Sequence, residues 1–372
     1  MRDICVVRLP DGTLKDEREI ERFCAEEINK PIPLDRPQWQ TWIQVNYKEG
    51  QSLIIYKQHH SMCDGISCMN FHIGQGDKFQ PDAIMPFPRK ITFFERLFIR
   101  ISFPFYLPSL VKTFLTTKQD LNLLHDGKRQ LSGKKICATS GDINFPEVKI
   151  ASKQLGCTIN DMVTASLGSA VKTYFEEKGD TKTNEINIAI PATIRFAHYG
   201  SWEKVKFENK FAPLPMRIPL IKDPSECLKE TYKVTSQMRS KLGELYATYA
   251  ATYYAAIFLP YYLLNHMAYM TSKPYTMAFS NTPGLLKPVL YDGKKSIKMY
   301  NFVIPVGHTG LALSALSYVD YFKICCTTDD AIMKDPQRIV DLTEGNMRWY
   351  IEEGRRREKL GTAANQQQTQ TK

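Results

Sequence analysis

A chain of 372 residues, 43% hydrophobic and 24% charged, has globular composition, which excludes a fibrous or disordered protein, and it is long enough for two cores. The formal net charge of +10 is spread along the chain, with one dense cluster at Arg355-Arg356-Arg357. It favours anionic surfaces or substrates, and without a recognition motif it argues against nucleic acid as a partner. Nine cysteines at irregular spacing, two of them the adjacent Cys325 and Cys326, exclude a disulfide scaffold and a zinc ribbon and fit reduced, intracellular thiols. The N-terminal stretch lacks the apolar core of a signal peptide.

In chain order, a short apolar piece at Ile4-Cys5-Val6-Val7 precedes a charged segment from Lys15 to Lys30. There Ile20, Phe23, Cys24 and Ile28 fall at near-helical spacing. Pro31 to Pro37 breaks it, and Trp39–Tyr47 reads as a strand that turns at Lys48 to Gln51 into a second strand, Leu53-Ile54-Ile55-Tyr56. The residues after Gly65, from Ile66 to Phe71, can start a helix, and 74–90 read as loop. From Ile91 to Leu115 the chain is strongly apolar and aromatic. Its uncharged part, Ile101 to Val111, contains Pro104 and Pro108 and falls short of the roughly 20 residues that a bilayer requires, so core packing and an interfacial membrane segment are both open.

Lys118 to Lys135 is polar and reads as a crossover. Thr158-Ile159-Asn160-Asp161 opens a helix, with Thr158 as cap and Asp161 in the first turn. Ile186–Pro191 reads as a strand, and Asp223-Pro224 starts a second helix by cap and first-turn proline. Residues 245–272 carry no charged side chain and match a membrane span in length, but their many polar side chains and the central Pro260 favour one helix packed inside the protein or lying against a membrane over one that spans it. Leu311–Ser317 and Tyr321–Thr327 pair as strands around Val319-Asp320, and an amphipathic helix closes the chain from about Pro336 to Glu358 before a polar tail.

The stretch that carries chemistry is His59-His60-Ser61-Met62-Cys63-Asp64-Gly65, placed where a strand runs out into a loop. An unperturbed imidazole titrates near pH 6.5, about where a physiological base is needed. Asp64 can orient a ring or hold the loop through a cation, and Gly65 permits a positive-φ backbone. Adjacent histidines lack the i, i+4 spacing of a helical zinc motif, and Cys63 as a thiol nucleophile requires neighbours in sequence to converge, which a strand or loop does not favour. Catalysis, surface structure and, more remotely, metal binding all remain open on the local pattern.

The same seven residues resemble the HHxxxDG signature of the acyl-CoA-dependent acyltransferase superfamily. Four further pieces resemble, in order, motifs of the wax ester synthase/diacylglycerol acyltransferase family. These are Pro33-Leu34-Asp35-Arg36-Pro37-Gln38-Trp39 (LDxxxPxW), Asn160-Asp161 (ND), Pro191 to Arg195 (PxxxR) and Ser280-Asn281-Thr282-Pro283-Gly284 (SNxPG). Gly310 to Tyr318 is similar to a late GLxxxxxSY pattern.

The resemblance implies an α/β fold of two chloramphenicol-acetyltransferase-like halves around a central channel. It divides the chain into an N-terminal half at 1–117, a crossover at 118–135, a C-terminal half at 136–360 and a disordered tail at 361–372. Only 58 residues precede His59, so the N-terminal half is expected to be shortened.

The implied activity is transfer of a fatty acyl group from acyl-CoA to a long-chain alcohol, to diacylglycerol or to both, with no cofactor and no metal. Its surroundings would be intracellular, on a membrane or lipid-droplet surface. His60 is the implied general base and His59 its support. Asp64 pairs with Arg195 to fix the loop, Gly65 leaves room, and Asn281, Asn160 and Asp161 are candidate substrate-side groups. An inactive relative of the same fold, bound to a lipid surface, is the alternative. Where the family commonly places a glycine after Ser317-Tyr318, this chain has Val319-Asp320.

Overall fold

The computed structural model describes residues 5–84, 92–101, 103–195, 199–238 and 242–370. The end of the expected loop, 85–90, and Ile91, the first residue of the expected apolar segment, lie outside them, as do Ile4 and the last two residues of the tail.

The N-terminal half is built on a three-stranded sheet. Strand β1 (Val6–Arg8) runs parallel to β2 (Trp39–Lys48), which pairs antiparallel with β3 (Gln51–Gln58). Helix α1 (Glu17–Ile28) begins where Asp16 accepts the Glu19 N–H and ends where Lys57 Nζ donates to the carbonyls of Glu27 and Lys30. Those bonds satisfy groups that a helix leaves unpaired at each end. Helix α2 (Gly65–Gly74) follows β3, then α3 (Phe93–Ile101) and α4 (Phe103–Thr116) cover the apolar segment.

The C-terminal half is a larger sheet that also contains α-helical layers. Its strands are β4 (Lys135–Thr139), β5 (Ile143–Asn144), β6 (Glu185–Thr193), β7 (Phe211–Pro219), β8 (Met277–Thr282), β11 (Leu311–Tyr318) and β12 (Tyr321–Asp329), in the order β4-β12-β11-β8-β6-β7 with β5 beside β12. Strand β8 is parallel to both of its neighbours and the other pairs are antiparallel. A separate two-stranded ribbon joins β9 (Leu290–Tyr291) to β10 (Lys294–Lys295).

Helices α5 (Phe145–Gln154), α6 (Ile159–Glu177), α7 (Pro224–Met238) and α10 (Pro336–Gln370) form the layer over the principal core. Small residues let α6 sit deep in it: a Cβ on Gly168 would lie 2.6 Å from the Pro219 carbonyl oxygen. The capping box at Thr158 and Asp161 forms, and Asp223 accepts the Glu226 N–H at the start of α7.

Two elements depart from the sequence reading. Residues 245–272 form two helices, α8 (Leu242–Phe258) and α9 (Tyr261–Ser272), divided at Leu259-Pro260, because proline removes a helical donor and crowds the preceding turn. The last helix does not stop near Glu358 but continues through the residues expected as a disordered tail, to Gln370, with Gly361 the one strong helix breaker in that stretch. Among the described residues no helix is long and apolar enough to cross a membrane.

The halves meet on two sides of the histidine loop as well as at the loop itself. Met69 and Ile73 of α2 share a buried cluster with Leu285, Val289, Leu316, Tyr318 and Tyr321. On the other side α1 packs against β4, and the fully buried Lys323 of β12 reaches Glu17 of α1 at 2.6 Å. The turn between β11 and β12 holds Val319 at φ 52°, a conformation that a β-branched residue rarely adopts.

Candidate active site

Strand β3 ends at Gln58, and the six residues to Asp64 form a loop that α2 takes over. The His59 N–H donates to the Gln38 carbonyl at 2.8 Å. Its ring Nδ1 lies 2.7 Å from Ser61 Oγ and accepts the Ser61 N–H at 3.3 Å. A backbone N–H can only donate, so Nδ1 is the acceptor and the ring proton belongs on Nε2. His59 therefore holds its own loop in shape.

The His60 ring is exposed and rests 5.5 Å from the Phe211 ring. Among the described residues no side chain hydrogen-bonds to it, which leaves the imidazole open to a substrate hydroxyl. The backbone beneath it is held from the other half: Asn209 Nδ2 donates to the carbonyls of His60 at 2.9 Å and Ser61 at 3.3 Å.

Asp64 points inward and is 5% exposed. Its Oδ1 caps α2 by accepting the Ser67 N–H at 3.0 Å, and its Oδ2 accepts the Lys210 N–H at 2.7 Å and Arg195 Nη1 at 2.5 Å. Arg195 also donates from Nη2 to Ser67 Oγ at 2.7 Å and to the Glu208 carbonyl at 3.1 Å. That carbonyl further accepts the Asp64 N–H and the Ser67 hydroxyl. With its oxygens committed in this way, Asp64 fixes the loop and does not orient the His60 ring. The Glu208 carboxylate faces outward to Tyr199 and Lys210; burial raises it, but those partners together hold it below the usual carboxylate range.

Gly65 is not in the left-handed region, so the positive-φ freedom expected of it goes unused; it is the first residue of α2. What it provides is proximity, since a Cβ there would touch the Thr282 side chain at 3.7 Å.

The SNxPG stretch divides by strand alternation, in which successive side chains take opposite faces. Met277 and Phe279 enter the core beneath the helices, and Asn281 follows them, its Nδ2 donating to Asn160 Oδ1 at the start of α6 at 3.2 Å. Ser280 and Thr282 take the other face, their hydroxyls 3.3 Å apart, with Thr282 beside Gly65. Asn281 and Asn160 are thus brought together, but on the helix side of β8. Asp161 is fully buried, accepting the Thr158 N–H at 2.8 Å and the Thr235 hydroxyl at 2.6 Å. Both of its oxygens are used for architecture, which puts it away from substrate.

Cys63 is 1% exposed and turns its thiol to Gln58 Oε1 at 3.5 Å, behind the loop, where it cannot attack a substrate. His72, in the last turn of α2, packs edge-on to Tyr56, and burial pushes its pKa down to about 4; it is neutral and enclosed near pH 7. The residues missed by the sequence reading are Glu208, Asn209, Lys210, Phe211 and Thr282. The first and third act through backbone groups, which leave no mark in a sequence. Asn209 and Thr282 carry ordinary polar side chains with no motif spacing of their own, although Thr282 lies within the SNxPG stretch.

Comparison with known proteins matches residues 207–349 to the WS/DGAT C-terminal domain. A Mycobacterium tuberculosis protein named for diacylglycerol O-acyltransferase activity is 24% identical over 93% of this chain and 76% of its own length. Wax ester synthase/diacylglycerol acyltransferase 1 of Arabidopsis thaliana is 21% identical over 87% of this chain and 73% of its own. Among solved structures, the wax ester synthase/diacylglycerol acyltransferase of Marinobacter aquaeolei VT8 superposes with a TM-score of 0.64 at 19% identity, covering 95% of this chain and 81% of that one. The first condensation domain of a calcium-dependent antibiotic synthetase superposes at 0.57 and 14% identity, covering 94% and 75%. These two show a shared fold.

Proposed function

We propose that this chain, which belongs to the wax ester synthase/diacylglycerol acyltransferase family, moves a fatty acyl group from acyl-CoA to the hydroxyl of a long-chain alcohol or a diacylglycerol. The observation that carries the mechanism is the contrast at the loop: a backbone clamped from the other half and an exposed His60 ring with no hydrogen-bond partner among the described residues. His60 accepts the hydroxyl proton as that oxygen forms its bond to the thioester carbonyl carbon. The resulting oxyanion collapses, the C–S bond breaks, and the imidazolium returns the proton to the CoA sulfur, leaving an ester and free thiol. No cofactor enters this balance.

The oxyanion requires a donor. Asn281 is directed to α6, so the Thr282 hydroxyl, on the loop side of β8, is the better placed candidate. Asn160 and Asp161 serve helix α6.

Attachment to a lipid surface is part of the same reading. Phe93, Phe94, Phe98 and Phe105 of α3 and α4 are each more than 60% exposed, as are Phe258, Tyr261 and Tyr262 at the break between α8 and α9. Helices α4 and α8 pack together, and exposed apolar surface of this kind marks an interaction site. It fits a protein lying on a membrane or lipid-droplet surface inside the cell, on the endoplasmic reticulum in a eukaryote.

The test is thiol release from palmitoyl-CoA with hexadecanol or dioleoylglycerol as acceptor. His60→Ala is expected to lower turnover by about 100- to 10,000-fold; undiminished turnover would remove His60 from the mechanism. Phe94→Glu/Phe105→Glu is expected to reduce sedimentation with phosphatidylcholine vesicles, and unchanged sedimentation would remove this surface from the attachment.

A further inference from the structure

We propose that Asn209 is a positioning residue that sets where the His60 imidazole stands, an assignment that rests on the acyl-transfer reading. Asn209 lies in the segment leading into β7, and its Nδ2 bridges two successive carbonyls of the histidine loop, those of His60 and Ser61. Both partners are oxygens that can only accept, so the amide has one orientation: nitrogen to the loop, Oδ1 away from it. That Oδ1 is buried and has no hydrogen-bond partner among the described residues. Buried polar atoms are nearly always paired, so an asparagine half-satisfied here is poorly explained by packing alone. It is well explained by the need for two donors at the loop.

The geometry makes the clamp specific to His60. On the N-terminal side the loop is tied at the His59 N–H to Gln38, and on the C-terminal side Asp64 is locked by Arg195 and Lys210. Between these ties, the peptide linking His60 to Ser61 is held at its N–H by His59 Nδ1 from within the loop and at its carbonyl by the Asn209 amide from the other half. Two residues on, Phe211 supplies the ring against which the imidazole rests. Clamp and wall therefore belong to one short segment and place the Cα and the ring of His60 together. Displacing a catalytic group by about 1 Å can lower a rate about 100-fold.

The experiment uses the full chain and two variants. Asn209→Ala removes the donors, while Asn209→Asp keeps the shape but sets oxygens against the two carbonyls. The first readout is the set of histidine ring resonances, with His60 assigned from its loss in His60→Ala. Both variants are expected to shift or broaden the His60 signal, with His59 of the same loop free to follow, and to leave the five histidines outside the loop in place. The second readout is thiol release: kcat is expected to fall about 10- to 100-fold with KM for palmitoyl-CoA within about twofold, and Asn209→Ala is expected to add nothing in the His60→Ala background. A His60 signal that does not move, a disturbance of all the histidines, or an equal further loss in the His60→Ala background each overturns the assignment. If the unmodified protein releases no thiol, the acyl-transfer reading fails, while the resonance comparison still decides whether Asn209 positions His60.

Discussion

Replacing Arg195 with methionine tests the joint on which the histidine loop depends. The side chains of Arg195 and Asp64 are 4% and 7% exposed and 2.5 Å apart, so removing the cation leaves a carboxylate buried without its counter-charge. Breaking a buried pair in this way costs about 3–5 kcal/mol. Asp64 would keep the Ser67 and Lys210 N–H donors, which places the expected loss at the lower end, about 3 kcal/mol. Asp64→Asn leaves the arginine uncompensated but preserves an acceptor for the α2 cap. In the double variant no buried charge remains, so it should be about 1–2 kcal/mol more stable than the sum of the single losses implies.

Urea unfolding of the four proteins, followed by circular dichroism, gives the cycle. With a slope of about 3 kcal/mol/M, Arg195→Met should lower the midpoint by about 1 M. A loss under about 1 kcal/mol, or single losses that simply add, would refute the reasoning.

Two further outcomes follow from other parts of the fold. Asp329 is fully buried; burial alone raises its pKa, but hydrogen bonds from Lys135, Ser132 and Ala331 outweigh that and hold it at about 2. Because this is below the value of about 3.9 in an unfolded chain, its contribution of about 2 kcal/mol is present above pH 4 and is lost as pH falls toward 2. Melting temperatures taken across that range should converge for the wild type and Asp329→Asn; parallel curves would show that the carboxylate does not titrate with folding. At Val319, where φ is 52°, glycine is relieved of left-handed strain and alanine is not. Val319→Gly should therefore be more stable than Val319→Ala by about 1 kcal/mol in thermal unfolding, and the reverse order would contradict a strained turn.

What the sequence made legible was local. Thr158 and Asp161 are three residues apart and cap α6 wherever α6 packs, Asp223-Pro224 announces α7, and the hairpin of β11 and β12 follows from two apolar runs around one turn. What it hid depends on distance. Nothing in the run Tyr321–Thr327 tells that Lys323 is buried against Glu17, 306 positions away. Asn281 sits in a recognisable stretch, but only the register of β8 tells that it faces Asn160 while Thr282 faces the loop. The polar composition near the end of the chain suggests disorder, yet it contains no proline to stop α10. Asn209 belongs to no pattern, because its partners are carbonyl oxygens and every residue has one.

The tie between Asp64 and its clamps also orders the birth of the site. Gln38, the one clamp on the N-terminal side, emerges from the ribosome before the histidines, but Arg195, Glu208, Asn209 and Lys210 follow about 130 to 150 residues later. Until then the buried side of Asp64 has only the Ser67 N–H of its own helix to meet it. A nascent chain thus exposes His60 early, before the Asn209 amide that holds its carbonyl and the Phe211 ring it rests against. Synthesis of the second half does more than add another wall to the site: it fixes the one imidazole that the first half leaves loose.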